Sequence, residues 1–144
     1  MRNYIEYPLP FGINVIRDFN ENNLYQIAKS QTAVFPFKLN PFSAIRVEAG
    51  HSSFYDNQAG TISAWPSDQI NGRSITGYAN SNQNRINIQG EGFSWLFHPI
   101  NADLRNYKEA SISQWIDPNR EYYMCFQNLE NKDNGLYLKF TYIP

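Results

Sequence analysis

The sequence is poor in the residues that form cross-links, metal sites and membrane spans. It has one cysteine, Cys125, and two histidines, His51 and His98, in 144 residues. A single cysteine excludes an internal disulfide, and no His-x-His or Cys-x-x-Cys pair offers the close ligand spacing of a zinc site. No run of 18 apolar residues occurs, so a membrane-spanning helix is not expected. We therefore predict neither a metal nor a cofactor, with calcium held by loop Asp and Asn oxygens as an open alternative.

Charge is also scarce and evenly divided between the two signs. The chain carries 12 basic and 13 acidic side chains, and the charged fraction is 17%. Because Lys and Arg never form a run, the sequence lacks the basic patch that a nucleic acid partner requires. Residues 1–8 contain no apolar segment of the signal-peptide kind. We expect a protein that is made in the cytoplasm without a signal peptide and does not insert into membranes.

Motifs of nucleophilic and phosphate chemistry are missing as well. No Gly-x-Ser-x-Gly turn is present, and Gly90-Glu91-Gly92 lacks the further glycine and the helix of a phosphate-binding loop. The carboxylates are dispersed along the chain, and Cys125 lies in an apolar stretch that is typical of a buried core thiol. We predict that the protein is not an enzyme. The alternative is an enzyme whose residues, with His51 or His98 among them, converge only in the fold.

Aromatic residues and asparagine are abundant, and they favour strands and turns respectively. Aromatics make up 16% of the chain, and there are eighteen Asn residues. Alternation of apolar and polar residues predicts short strands; these cover residues 34–39, 42–47, 61–65, 85–89, 93–97, 111–115, 121–126 and 136–142. Such spacing is typical of an all-β, antiparallel β-sandwich or jelly-roll-like fold with about seven to nine strands.

The C-terminal pair of strands is the clearest predicted unit. Asn134-Gly135 supplies residues that tolerate positive φ, so residues 121–142 are interpreted as a β-hairpin. In its second strand Leu136, Leu138 and Phe140 are predicted to point inward.

Two parts of the chain differ in pattern, which predicts a division at residue 31. Residues 1–31 are interpreted as an extended N-terminal arm, with a short helix over 22–29 as a weaker alternative. The arm either covers an edge of the sheet or docks onto a neighbouring subunit or a larger assembly. Residues 32–144 form the predicted β-sandwich domain.

Loops that carry aromatic rings beside amide and charged side chains are typical of shallow sugar sites. Two neighbouring segments have this composition, and the ligand-binding residues predicted in them are Trp65, Asp68, Gln69, Asn71, Arg73, Tyr78, Asn82 and Arg85. The competing interpretation is that Trp65 closes the core and the amides are solvated loop residues.

The segment Ile62-Ser63-Ala64-Trp65-Pro66-Ser67-Asp68, followed by Ile116-Asp117-Pro118-Asn119-Arg120-Glu121-Tyr122-Tyr123, resembles small β-sandwich proteins of tailed phages and prophages. The resemblance spans residues 61–144, and Asn119 replaces the glycine that usually follows the proline. It implies a virion-associated structural role or attachment to a host surface, and it carries no catalytic residues.

Two functions of different kinds follow from these observations. The first is a structural or host-surface-binding protein of a phage-like particle, whose partners are copies of itself, other virion proteins and a cell-surface glycan. The second is a free-standing carbohydrate-binding, lectin-like module.

Overall fold

The protein is an all-β sandwich of two sheets, as the alternation predicts. The computed structural model describes residues 12–52, 61–72, 85–88, 92–103 and 110–144. Ten strands in these ranges form two five-stranded sheets. In spatial order, sheet A consists of β1 (Ile13–Val15), β3 (Thr32–Lys38), β9 (Glu121–Asn128), β5 (Ile62–Ser67) and β6 (Ile86–Ile88). Sheet B consists of β2 (Leu24–Ile27), β10 (Asn134–Ile143), β4 (Ala44–Ser52), β7 (Phe93–His98) and β8 (Ile112–Trp115).

Most neighbouring strands are antiparallel, and two pairs at the sheet edges are parallel. β1 runs parallel to β3, and β8 runs parallel to β7. Most of the connections between described strands pass from one sheet to the other. Consecutive segments of the sequence therefore form opposite walls of the same core.

The N-terminal segment contributes a strand to each sheet. Over residues 12–31, the predicted arm forms β1 on the edge of sheet A and β2 on the edge of sheet B. The weaker alternative of a helix over 22–29 is wrong, because β2 pairs with β10 there. The rest of the predicted arm, residues 1–11, lies outside the described residues.

The core lies between the two sheets and is rich in aromatic rings. Phe37 of sheet A and Phe97 of sheet B have ring centroids 4.9 Å apart, and Phe35 meets Phe126 edge to face at 5.6 Å. Phe35, Phe97 and Phe126 are fully buried. Rings of this size bury a large apolar area each, which is the main stabilisation of a sandwich without cross-links.

The inward face of β10 is confirmed, whereas the C-terminal hairpin is wrong. Leu136 and Leu138 are buried, and Phe140 packs against the core. β9 belongs to sheet A, however, and β10 belongs to sheet B. Asn134 and Gly135 do not form a turn, because they lie inside β10 and pair with β2. The connection between β9 and β10 crosses from one sheet to the other.

β5 continues through Pro66 to Ser67, although the sequence predicts that it stops at the proline. Leu129 N donates to Thr61 O at 3.1 Å. The backbone N–H and C=O groups of every second residue, counted from Thr61, therefore point toward β9. The backbone of Pro66 therefore faces β6, whose last pair with β5 is at Ala64. Pro66 lies beyond that pair, where its missing N–H has no ladder bond to make.

A second apolar cluster occupies the outer face of sheet A. Val34, Trp65 and Cys125 lie side by side on three adjacent strands and are fully buried. The interpretation of Cys125 as a core thiol is confirmed. Burial raises the pKa of the Cys125 thiol, and the Arg85 guanidinium opposes this only in part.

Within the described ranges no helix is long and apolar enough to cross a membrane.

Candidate functional site

A groove of about 420 Å³ opens over sheet B. It lies where β4 passes between β10 and β7. Along β4, Val47 and Ala49 are buried in the core, so Glu48 and Gly50 face outward. Tyr137 of β10 also faces outward, because Leu136 and Leu138 on either side of it are buried.

Two glycines, Gly50 and Gly92, leave open space in this groove, which we call the Gly50–Gly92 hollow. Gly50 is the cross-strand partner of Tyr137 on β10. Ala49 pairs with Phe93 on β7, and extension of this register by one residue places Gly92 opposite Gly50. Both glycines line the groove. Since neither has a side chain, this row of the sheet leaves space beside the Tyr137 ring.

The polar wall of the groove is formed by a carboxylate and two hydroxyl groups. Glu48 is the cross-strand partner of Ser94. Ser94 N donates to Ser111 Oγ at 3.3 Å, and Ser111 N donates to Ser94 Oγ at 3.1 Å. These bonds use the hydroxyl oxygens as acceptors, so each hydroxyl hydrogen remains to be donated to a ligand.

An imidazole and a second ring complete the described lining. His51, at the end of β4, lines the groove, as does Phe93. An imidazole ring nitrogen donates or accepts according to its tautomer. The Phe93 ring packs against the core, because its cross-strand partner is the buried Ala49, so Tyr137 is the outward-facing ring among the described lining residues. The groove therefore combines one outward ring with groups that can donate and accept hydrogen bonds, which is the chemistry that sugar recognition needs.

The two histidines do not share a site. Ile45 pairs with Phe97 in the antiparallel β4–β7 ladder, so His98 lies beyond one end of it and His51 beyond the other. About seven residues of β4 separate the two positions, or roughly 24 Å along the strand. Within the described ranges no group of three or more His, Cys, Asp or Glu side chains could hold a metal ion.

Trp65 is not available as a stacking surface for a sugar. Its side chain is fully buried, and its Nε1–H donates to Gly72 O at 2.9 Å. The Arg85 guanidinium carbon lies 3.9 Å from the centre of the indole. Of the two interpretations of Trp65, the structure supports the core one. The prediction of Trp65 as a ligand-binding residue is corrected, because its ring is covered by the protein itself.

Arg85 is also buried, so its prediction as a ligand-binding residue is corrected as well. It is 3% exposed, and its Nη2 donates to Gln127 Oε1 at 2.7 Å. Its guanidinium therefore stacks on Trp65 as a cation–π pair inside the protein. The sequence predicts Trp65 at the end of one strand and Arg85 at the start of another, and the fold brings them together as a buried pair rather than as a ligand site.

The remaining predicted ligand-binding residues fall into two groups. Asp68 accepts from Arg120 Nη2 at 3.4 Å through Oδ2, while Gln69 and Asn71 are exposed on the turn after β5. Arg73, Tyr78 and Asn82 lie outside the described residues. A ligand contact at this turn stays a prediction.

The sequence alone does not predict the groove. Its lining comes from β4, β7, β10 and the residue before β8, and these segments become neighbours only through strand pairing. The one local signal was the outward position of Tyr137, which follows from the alternation in β10.

No protein-family model and no curated protein matches the chain. Two solved structures are similar to it at low scores. The pre-peptidase C-terminal domain of a collagenase from Bacillus anthracis is 15% identical, with a TM-score of 0.38; the match covers 94% of this chain and 100% of that domain. CorA, a surface-associated copper-binding protein of Methylomicrobium album BG8, is 7% identical, with a TM-score of 0.32; the match covers 92% of this chain and 99% of that one. Similarity at this level carries no argument about function.

Proposed function

We propose that this protein is a non-enzymatic, lectin-like binding protein whose ligand is a saccharide held in the sheet B groove. The supporting observation is the outward-facing Tyr137 ring beside the Gly50–Gly92 hollow, with Glu48, Ser94 and Ser111 alongside. Aromatic rings stack on the apolar face of a sugar, while carboxylate and hydroxyl groups bind its hydroxyls.

Attachment to a host cell surface is the biological role that we propose for this binding. Its support is the resemblance of residues 61–144 to phage β-sandwich proteins, which implies a virion-associated location. The saccharide would then belong to a cell-surface glycan. Self-association is a separate proposal, which concerns the sheet edges rather than the groove.

A glycan array with the full-length protein tests the proposed function. We expect binding to one saccharide class, and we expect Tyr137→Ala to weaken it by about two- to tenfold, because stacking on an aromatic ring is worth on the order of 0.5–1.5 kcal/mol. Tyr142→Ala is the matched control, since Tyr142 lies on the same strand but does not line the groove.

Two outcomes would contradict the proposal. A blank array would contradict a saccharide as the ligand. Equal loss of binding in both tyrosine variants, at unchanged melting temperature, would contradict the groove as the binding site. Cleavage of a bound glycan, followed by release of reducing ends, would instead support the enzyme alternative.

A further inference from the structure

Glu48 is the one charged residue, apart from the titratable His51, among the described residues that line the groove. It lies on the central strand of sheet B, beside the Tyr137–Gly50 row. The other described lining residues are glycine, alanine, serine or aromatic. A ligand that fills the groove therefore comes close to a carboxylate.

The charge of Glu48 is not cancelled by an ion pair with a described residue. The ion pairs within the described ranges join Arg17 to Glu121 and Arg120 to Asp68. Lys139 is the cross-strand neighbour of Glu48, but its side chain is exposed and does not line the groove. Arg46 lies two residues earlier on the same face of β4 and does not line the groove either.

A half-buried carboxylate that has no ion-pair partner among the described residues selects ligands by charge. An ammonium group on the ligand forms a charge-assisted hydrogen bond with it, which is stronger than a neutral one. A carboxylate on the ligand is instead placed beside a like charge in a site partly shielded from water, and this is unfavourable. The Ser94 and Ser111 hydroxyls do not change this preference, because they are neutral.

We infer that the groove prefers a saccharide with a free amino group over its N-acetylated form and rejects uronic acid saccharides, with Glu48 as the specificity-determining residue. This inference rests on the proposed saccharide-binding function. It adds to that function the chemical class of the ligand.

Calorimetric titration of the full-length protein with three probes of equal length tests the inference. The probes are β-1,4-linked oligosaccharides of glucosamine, of N-acetylglucosamine and of glucuronic acid, at near-neutral pH and low salt. We expect the glucosamine oligosaccharide to bind about fivefold more tightly than the N-acetylated one, and no measurable binding of the uronic acid oligosaccharide.

Glu48→Gln keeps the shape of the side chain and removes its charge. It should abolish the difference between the amino and N-acetylated probes while it retains binding of the N-acetylated one. Glu21→Gln is the matched control, because it removes the same charge from an exposed residue outside the groove. This control should keep the parent's preference, so an effect of net charge alone is separated from an effect of the groove.

The outcomes distinguish a failure of the inference from a failure of the proposed function. If the parent binds saccharides but takes the uronic acid probe as tightly as the amino probe, the charge preference is wrong and the saccharide function stands. An unchanged preference in Glu48→Gln also overturns the inference. If the parent binds no saccharide in the array or the calorimeter, both the function and the inference fall.

Discussion

Asn128 shows how one buried amide organises the crossing between the sheets. Its Nδ2 donates to Lys132 O at 2.7 Å and to Ile27 O at 3.1 Å. Its Oδ1 accepts from Glu130 N and from Asn134 Nδ2, both at 2.8 Å. The side chain, 4% exposed, thus joins the end of β9, the following connection, β2 and the start of β10. Both its donor and its acceptor are needed.

We therefore expect Asn128→Asp to destabilise the fold by about 2–4 kcal/mol. The carboxylate would keep the acceptor oxygen. It would also place a negative charge against the backbone carbonyls that accept hydrogen bonds from Asn128 Nδ2 in the parent. Urea unfolding measures the free energy. Asn131→Asp, an exposed asparagine in the same connection, should stay within about 0.5 kcal/mol of the parent; equal losses in both variants would show that the charge, not the hydrogen bonds, matters.

At the scale of elements, a side-chain contact ties the segment between β1 and β2 to sheet A. Arg17 Nη1 and Nη2 donate to the two carboxylate oxygens of Glu121 at 3.2 and 3.4 Å, and Tyr123 donates to Oε1 at 2.9 Å. Desolvation raises the pKa of Glu121, but the hydrogen bonds from Arg17 and Tyr123 outweigh it, so the pKa is lowered. Both partners are well exposed, so solvent screens the pair and its contribution is small.

The direction of this shift predicts a pH dependence. A carboxyl group whose pKa is lower in the folded state stabilises the fold above its ordinary pKa of 4.5 and ceases to do so as the pH falls through the lowered value. Glu121→Gln should therefore be slightly less stable than the parent at neutral pH and equal to it in acid. Urea unfolding over a pH series checks this, with Glu21→Gln as the control. If the stability difference between Glu121→Gln and the parent persists at a pH below the lowered pKa of Glu121, the effect comes from packing rather than from charge.

At the scale of the whole molecule, the edge strands of the two sheets are where another copy of the chain would pair. β1 and β6 flank sheet A, and β2 and β8 flank sheet B. Trp115 on β8 is 60% exposed. An edge strand presents unpaired backbone groups to another chain, and aromatic side chains are enriched at protein interfaces. Both points support the proposal that copies of the chain self-associate.

We expect sedimentation velocity to show concentration-dependent association of the parent that Trp115→Ser abolishes. Ile70→Ser is the control, because Ile70 is an exposed apolar residue on the turn after β5 and not on an edge strand. A parent that sediments as a monomer at all concentrations would remove the proposal. Deletion of residues 1–31 is a poor test of association, since it also removes β1 and β2.

The sequence by itself determined the fold class, most of the strands and the inward face of β10. These three features depend on the local alternation of apolar and polar residues, which identifies the apolar side of each strand. It also determined that Cys125 is a core thiol, because the residues around it are apolar on both sides.

Only the tertiary structure decided which strands pair and which face is covered. Alternation is the same for a hairpin as for two strands in opposite sheets, so it could not distinguish the predicted β9–β10 hairpin from the observed crossing. It could not show that Arg85 covers Trp65, since Trp65 lies on β5 and Arg85 precedes β6, and the pairing of these two strands brings them into contact. The groove depends on Gly50, Gly92 and Tyr137 in one row of sheet B, and strand register alone brings these residues together.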